Sequence, residues 1–169
     1  MKKIFIILVV VYISTSAFSQ EEFKRNELRL NSLTTLFLYP EITYERILGN
    51  NVSAGISLGW GPESNNWVLT YNVTPFARIY FNPLGARNNN GTGFFIEGSA
   101  SVYSQSLRKF LWWANGRTDA QTDFGLGVSV GWKFVSNDNW SGEVYTGGVR
   151  GFFDDTAHLR TGIAFGRRF

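Results

Sequence analysis

His158 is the only histidine of the chain; it stands three residues after the Asp154-Asp155 pair and is followed directly by Leu159-Arg160. An imidazole that titrates near neutrality can act as a general base, but acyl transfer also needs a serine within hydrogen-bond reach and a third group to orient the ring. Asp154 or Asp155 can orient it, yet no serine lies close to them in sequence. With a single His, no Cys, and aspartates that lack the Asp/Asn/Gly spacing of a calcium loop, neither a metal site nor a cofactor is expected. More promising chemistry lies in Glu45, Arg78, Glu97, Asp123, Lys133, Glu143 and Arg160, acids and bases in near-equal number that each sit inside an apolar, alternating stretch. A second group is local: Arg108, Lys109, Phe110, Trp112, Trp113 and Arg117 place cations beside large rings within Ser104 to Thr118.

The elements that carry these residues repeat every two positions. After residue 20 no sustained 3.6-residue apolar pattern occurs, whereas eight period-two runs do. The first spans 26 to 37, with Leu28, Leu30 and Leu36 on one parity and room for a bulge. The second, 40 to 48, sets Ile42, Tyr44 and Leu48 against Glu41, Thr43 and Glu45, and ends in the turn Gly49-Asn50-Asn51. Val52, Ala54, Ile56, Leu58 and Trp60 mark the third. A fourth, Trp67 to Phe81, contains Pro75, for which a bulge or bend is expected. Runs at 94 to 103, 122 to 134, 140 to 149 and 159 to 169 complete the set, with Asn82 to Gly93 and residues 104 to 118 as the long connections.

A β-sandwich can also supply eight such runs. Three features favour a membrane barrel. Runs of about 9 to 11 residues suit a tilted crossing of a hydrocarbon layer. The charges named above fall on the parity that would face inward, where a lumen can pair them and an ordinary apolar core cannot. If residue 20 starts in the periplasm, the outer ends of the strands hold Trp60, Trp67, Tyr103, Trp112, Trp113, Phe152 and Phe153, and the periplasmic ends hold Phe81, Phe94, Phe134, Trp140 and Phe169. Two aromatic belts follow from one choice of direction. At eight strands the interior is just wide enough for side chains, so the inward charges read as a mutually neutralised plug.

The N-terminus points to the same compartment. Lys2 and Lys3, the apolar Ile4 to Ile13 and the small residues around Ala17-Phe18-Ser19 form a signal peptide over residues 1–19, leaving 20–169 as one barrel domain. The whole chain carries 16 basic and 13 acidic residues; without Lys2 and Lys3 the counts are 14 and 13. No clustered basic stripe remains, so nucleic acid is not an expected partner.

The closing run, in which Leu159, Thr161, Ile163, Phe165, Arg167 and Phe169 share one parity, resembles the last strand of bacterial outer-membrane barrels. Tyr39-Pro40-Glu41-Ile42-Thr43-Tyr44-Glu45 and Pro75-Phe76-Ala77-Arg78-Ile79-Tyr80-Phe81 are similar to segments of the small eight-stranded OmpA/OmpX-type family. The resemblance implies an all-β, eight-stranded antiparallel up-and-down transmembrane β-barrel in the bacterial outer membrane. It also implies that Ile163, Phe165 and Phe169 belong to the signal read by the barrel assembly machinery. Arg167, outward in that signal, departs from the usual apolar residue, and the 82 to 93 connection is longer than a typical periplasmic turn. The family's fold hosts adhesins, anchors, inhibitors and a few enzymes. The expectation is a non-enzymatic structural or interaction role, with outer-membrane lipid, lipopolysaccharide or another outer-membrane protein as partner through the Ser104 to Thr118 loop. A lipid A-modifying acyl hydrolase or acyltransferase is the alternative, though the His-x-Ser pairing of the deacylases is missing at His158; a soluble periplasmic lipocalin-like binder is the third reading.

Overall fold

A computed structural model of the chain describes residues 24–61, 69–81, 91–105, 121–153 and 157–169. Eight strands are present: β1 (Asn26–Asn31), β2 (Glu41–Ile47), β3 (Val52–Trp60), β4 (Leu69–Phe81), β5 (Gly93–Gln105), β6 (Gln121–Val135), β7 (Trp140–Gly151) and β8 (Ala157–Arg168). Each pairs antiparallel with the next, and β8 pairs with β1, so the sheet closes into an up-and-down barrel without a sandwich's second layer. Closure is sealed at one rim by reciprocal backbone bonds between Asn26 and Phe169 of 3.2 and 2.8 Å. The turns 48–51 and 136–139 lie at this near rim; α1 (Ser32–Leu36) lies at the far rim.

The first run does not continue to residue 37 as a strand. β1 stops at Asn31, and a five-residue helix follows. Asn31 Oδ1 accepts the Thr34 N–H at 3.3 Å, while the Thr34 and Thr35 hydroxyls donate to the Asn31 carbonyl at 3.3 and 2.6 Å. Asn and Thr side chains thus offer the backbone a local alternative to a ladder, and here the alternative wins. Leu38, at φ 60°, turns the chain back toward β2. The bulge expected at Pro75 is absent as well. Pro75 holds its register opposite Ile56 of β3; its missing N–H falls on the β5 side, where the ladder passes from Val73 to Phe76, and the register shift comes at Leu69/Tyr71. Ser104, expected in the long connection, is buried within β5.

Side chains alternate strictly between the two faces. Along β2 and β4 every second residue is buried while Ile42, Tyr44, Tyr71, Val73, Ile79 and Phe81 are exposed. Inside, large rings lie over residues that have no side chain. A Cβ on Gly131 would stand 2.5 Å from the Phe95 ring and 2.8 Å from Tyr145 Cβ, so only glycine lets these two inward rings cross β6. Tyr80, Phe95 and Tyr145 form the one apolar cluster among the described interior residues.

Candidate functional site

All eight strands contribute to a buried polar network centred on Glu45. Its Oε1 accepts from Ser53 Oγ and Tyr80 Oη, both at 2.5 Å; its Oε2 accepts from Arg29 at 2.6 Å, and from Arg78 and Lys133 at 2.9 Å each. Arg78 spreads its fork over three strands, with Nε 2.7 Å from Glu97 and Nη1 2.7 Å from Glu143. Its guanidinium also lies between the rings of Phe76 and Phe95, 4.6 and 4.3 Å from their centroids. Glu27 accepts from Arg29 and, at 2.8 Å, from Arg168 of β8. Higher in the lumen, Arg160 Nε lies 3.1 Å from Glu97, and Nη2 lies 3.8 Å from Glu41 and donates to Ser57 at 3.2 Å.

The network therefore joins five glutamates, Glu27, Glu41, Glu45, Glu97 and Glu143, to five bases, Arg29, Arg78, Lys133, Arg160 and Arg168. Desolvating ten charges is tolerable only because each meets an opposite charge within 4 Å. Glu27, Glu45, Glu97, Arg29, Arg78 and Lys133 are all at most 1% exposed, so no water-filled channel passes between them.

Toward the far rim the lumen changes character. Tyr39 donates to Asn72 Oδ1 at 2.6 Å, Asn72 Nδ2 donates to Thr74 at 3.0 Å, and Thr74 shares a 2.8 Å bond with Ser101. Burial, reinforced by Glu41, pushes the Tyr39 phenol above its ordinary value, which keeps it a donor. His158 packs its ring edge-on against Tyr103 at 4.3 Å, and its buried Nδ1 meets no hydrogen-bond partner among the described residues. The aspartates at 154 and 155 lie outside those residues.

Of the seven inward charges singled out by alternation, six, Glu45, Arg78, Glu97, Lys133, Glu143 and Arg160, come together. Asp123 lies elsewhere, toward the opposite end of β6 from Lys133, where its Oδ1 accepts the backbone N–H of Phe124 at 2.7 Å and of Phe153 at 3.2 Å. Glu27, Arg29, Glu41 and Arg168 were not singled out. Their signal is present in the alternation: Arg29 sits between Leu28 and Leu30 and Glu41 between Pro40 and Ile42, while Glu27 and Arg168 each have one apolar neighbour, Leu28 and Phe169, on the outward parity. Tyr103, assigned to the outer aromatic belt, is fully buried and points into the lumen, on the same parity as Glu97 and Ser101. Trp60, Phe152 and Phe153 are exposed toward the far rim, and Phe81, Phe134, Trp140 and Phe169 toward the near rim. Ile163, Phe165 and Phe169 are all on the outer wall. Arg108, Lys109, Phe110, Trp112, Trp113 and Arg117 lie outside the described residues, as do Trp67 and the 1–19 segment.

Residues 4–154 match the family described as a protein of unknown function, DUF3575. No curated protein and no solved structure matches the chain.

Proposed function

The chain belongs to the DUF3575 family, and from that premise we propose that it is an integral outer-membrane barrel with a non-enzymatic structural or interaction role, exported by its N-terminal segment. One observation carries this reading: the two faces of the sheet are inverted relative to an ordinary globular core. The outer wall presents Leu30, Ile42, Leu58, Val73, Ile96, Val102, Leu126, Val128, Val144 and Ile163, all more than a third exposed, on strand after strand. The lumen holds the charges. An apolar band of this extent on a chain in water is an aggregation surface, whereas in hydrocarbon it is the solvent-matched face.

A sealed, neutralised lumen supports an anchor or docking platform over a conduit. The loop from Ser104 to Thr118, with Arg108, Lys109, Trp112 and Trp113, is the proposed contact for lipopolysaccharide or a second outer-membrane protein. The whole chain is expected to resist carbonate and high-salt extraction and to migrate differently on a denaturing gel before and after boiling, since a closed barrel has no free edge from which to unravel. Release by carbonate, with mobility unchanged by boiling, contradicts the proposal.

A further inference from the structure

Not all of the barrel's cations are neutralised by the described residues. At the near rim Arg46 of β2 and Arg167 of β8 are exposed on the outer wall, and neither makes an ion pair with any described residue. Lys24, half-buried and two residues before Asn26, likewise makes no ion pair with any described residue. The register places these groups around one strand. Arg46 is opposite Asn26, and Arg167 is opposite Leu28, so the two arginines flank β1 from either side. Their strands are two spacings apart and their positions two residues out of step, which together set them roughly 12 Å apart, a gap that two long guanidinium side chains can close upon one anion. Tyr44, two residues from Arg46 on β2, donates across to Asn26 Oδ1 of β1 at 2.9 Å. The Arg167 guanidinium sits 5.8 Å from the Trp140 ring centroid. Asp138, in the turn before Trp140, is the exposed acidic residue of this rim among the described residues and makes no ion pair with Arg167.

Immediately beyond the cations the wall turns apolar, with Leu28, Leu30 and Phe165 each two-fifths or more exposed. Phosphate-seeking cations above a hydrocarbon-facing strip describe the complement of one amphiphile. We infer that the β8–β1–β2 face at this rim is a binding site for an anionic glycerophospholipid, whose phosphodiester lies between Arg46 and Arg167 and whose acyl chains run over Leu28, Leu30 and Phe165. The inference rests on the membrane reading above, which puts this rim at the periplasmic leaflet, where phospholipid rather than lipopolysaccharide is the resident amphiphile. A headgroup without an amine fits better than ethanolamine or choline, because its charge meets three cations and adds no fourth.

The test uses the full chain in nanodiscs of phosphatidylcholine alone or mixed with phosphatidylglycerol, then gentle release and counting of retained lipid by native mass spectrometry. Phosphatidylglycerol is expected to be retained roughly tenfold over its share of the bilayer, with the preference falling as salt rises. R46Q/R167Q should abolish the preference, R46K/R167K should keep most of it, and R150Q at the far rim should leave it unchanged. Equal retention by the wild type and R46Q/R167Q, a preference lost equally in R150Q, or displacement of phosphatidylglycerol by added lipopolysaccharide overturns the site. If R46Q/R167Q fails to enter the nanodisc, the salt series on the wild type decides: a salt-insensitive preference is the refuting result. A wild-type chain that stays in water without a bilayer defeats the membrane reading and the site together; one that embeds without lipid preference defeats the site alone.

Discussion

Arg78 and Arg167 are the same residue type on strands of the same barrel, yet one is buried among three carboxylates and two aromatic rings while the other reaches outward beside a single tryptophan. The difference is one of parity, and it teaches which medium each face was built for. Inside, charge can be kept only by supplying its counter-charge from neighbouring strands, and the five glutamates and five bases do so. Outside, Arg46 and Arg167 have no counter-charge among the described residues. Buried pairs gain little net stability over an apolar core, but removing one partner strands the other. The lumen network is therefore better understood as a device that holds eight strands in one register, since a slip by one residue would turn every charge onto the apolar wall.

The contrast can be broken most severely at Arg78. Arg78→Ala is expected to cost about 3–5 kcal/mol of unfolding free energy, because it leaves Glu45, Glu97 and Glu143 short of a donor in a dry interior; urea unfolding followed by tryptophan fluorescence measures it. Arg167→Gln, by comparison, should change stability in detergent by no more than about 0.5 kcal/mol. Equal losses would mean that parity does not separate the two environments.

A smaller effect sharpens the same contrast on the outer wall. Ile163→Asp should cost about 2 kcal/mol in a bilayer and much less in water, so the loss in lipid vesicles minus that in mild aqueous refolding conditions is the quantity to measure. Next comes Asn31→Ala, which removes the α1 cap and the 3.0 Å donation to Tyr145, for an expected loss of about 1 kcal/mol. Arg108, Lys109, Trp112 and Trp113 replaced together with Ser should affect stability least. Their loss is expected to show in co-purifying lipopolysaccharide or protein while the barrel stays folded, and an unchanged set of associated molecules would remove the loop from the proposal.

Most of the barrel was legible in the residues because a two-residue period is hard to disguise when one face is apolar and the other charged. Seven of the interior charges, Asp123 among them, were visible by parity alone for that reason. What alternation does not encode is which charges meet. Arg78 contacts Glu143 only because β4 and β7 face one another across a closed lumen, and Arg168 meets Glu27 only because β8 returns to β1. Nor does it show where a strand stops. Leu28, Leu30 and Leu36 keep the same parity through Asn31, and capping by the Asn31 side chain, a matter of local hydrogen bonding, ends β1 there. Tyr103 illustrates a different limit: its type suits an interfacial belt, but its parity sends it into the lumen, and parity prevails. The loop cations and tryptophans have no periodic frame at all, so their arrangement is not encoded in any pattern of this kind.

The central claim is that the outer wall faces hydrocarbon, and the absence of cysteine from the chain makes it directly measurable. Single spin labels placed through Leu159→Cys, Ile163→Cys, Phe165→Cys and, as the inward control, Ala164→Cys can be tested in lipid vesicles for collisions with oxygen and with a water-soluble nickel chelate. Ile163 and Phe165 are predicted to be accessible to oxygen and shielded from nickel, Leu159 to show more nickel contact toward the far rim, and Ala164 to be shielded from both. Strong nickel collisions at Ile163 and Phe165 alike would place that wall in water and contradict the account.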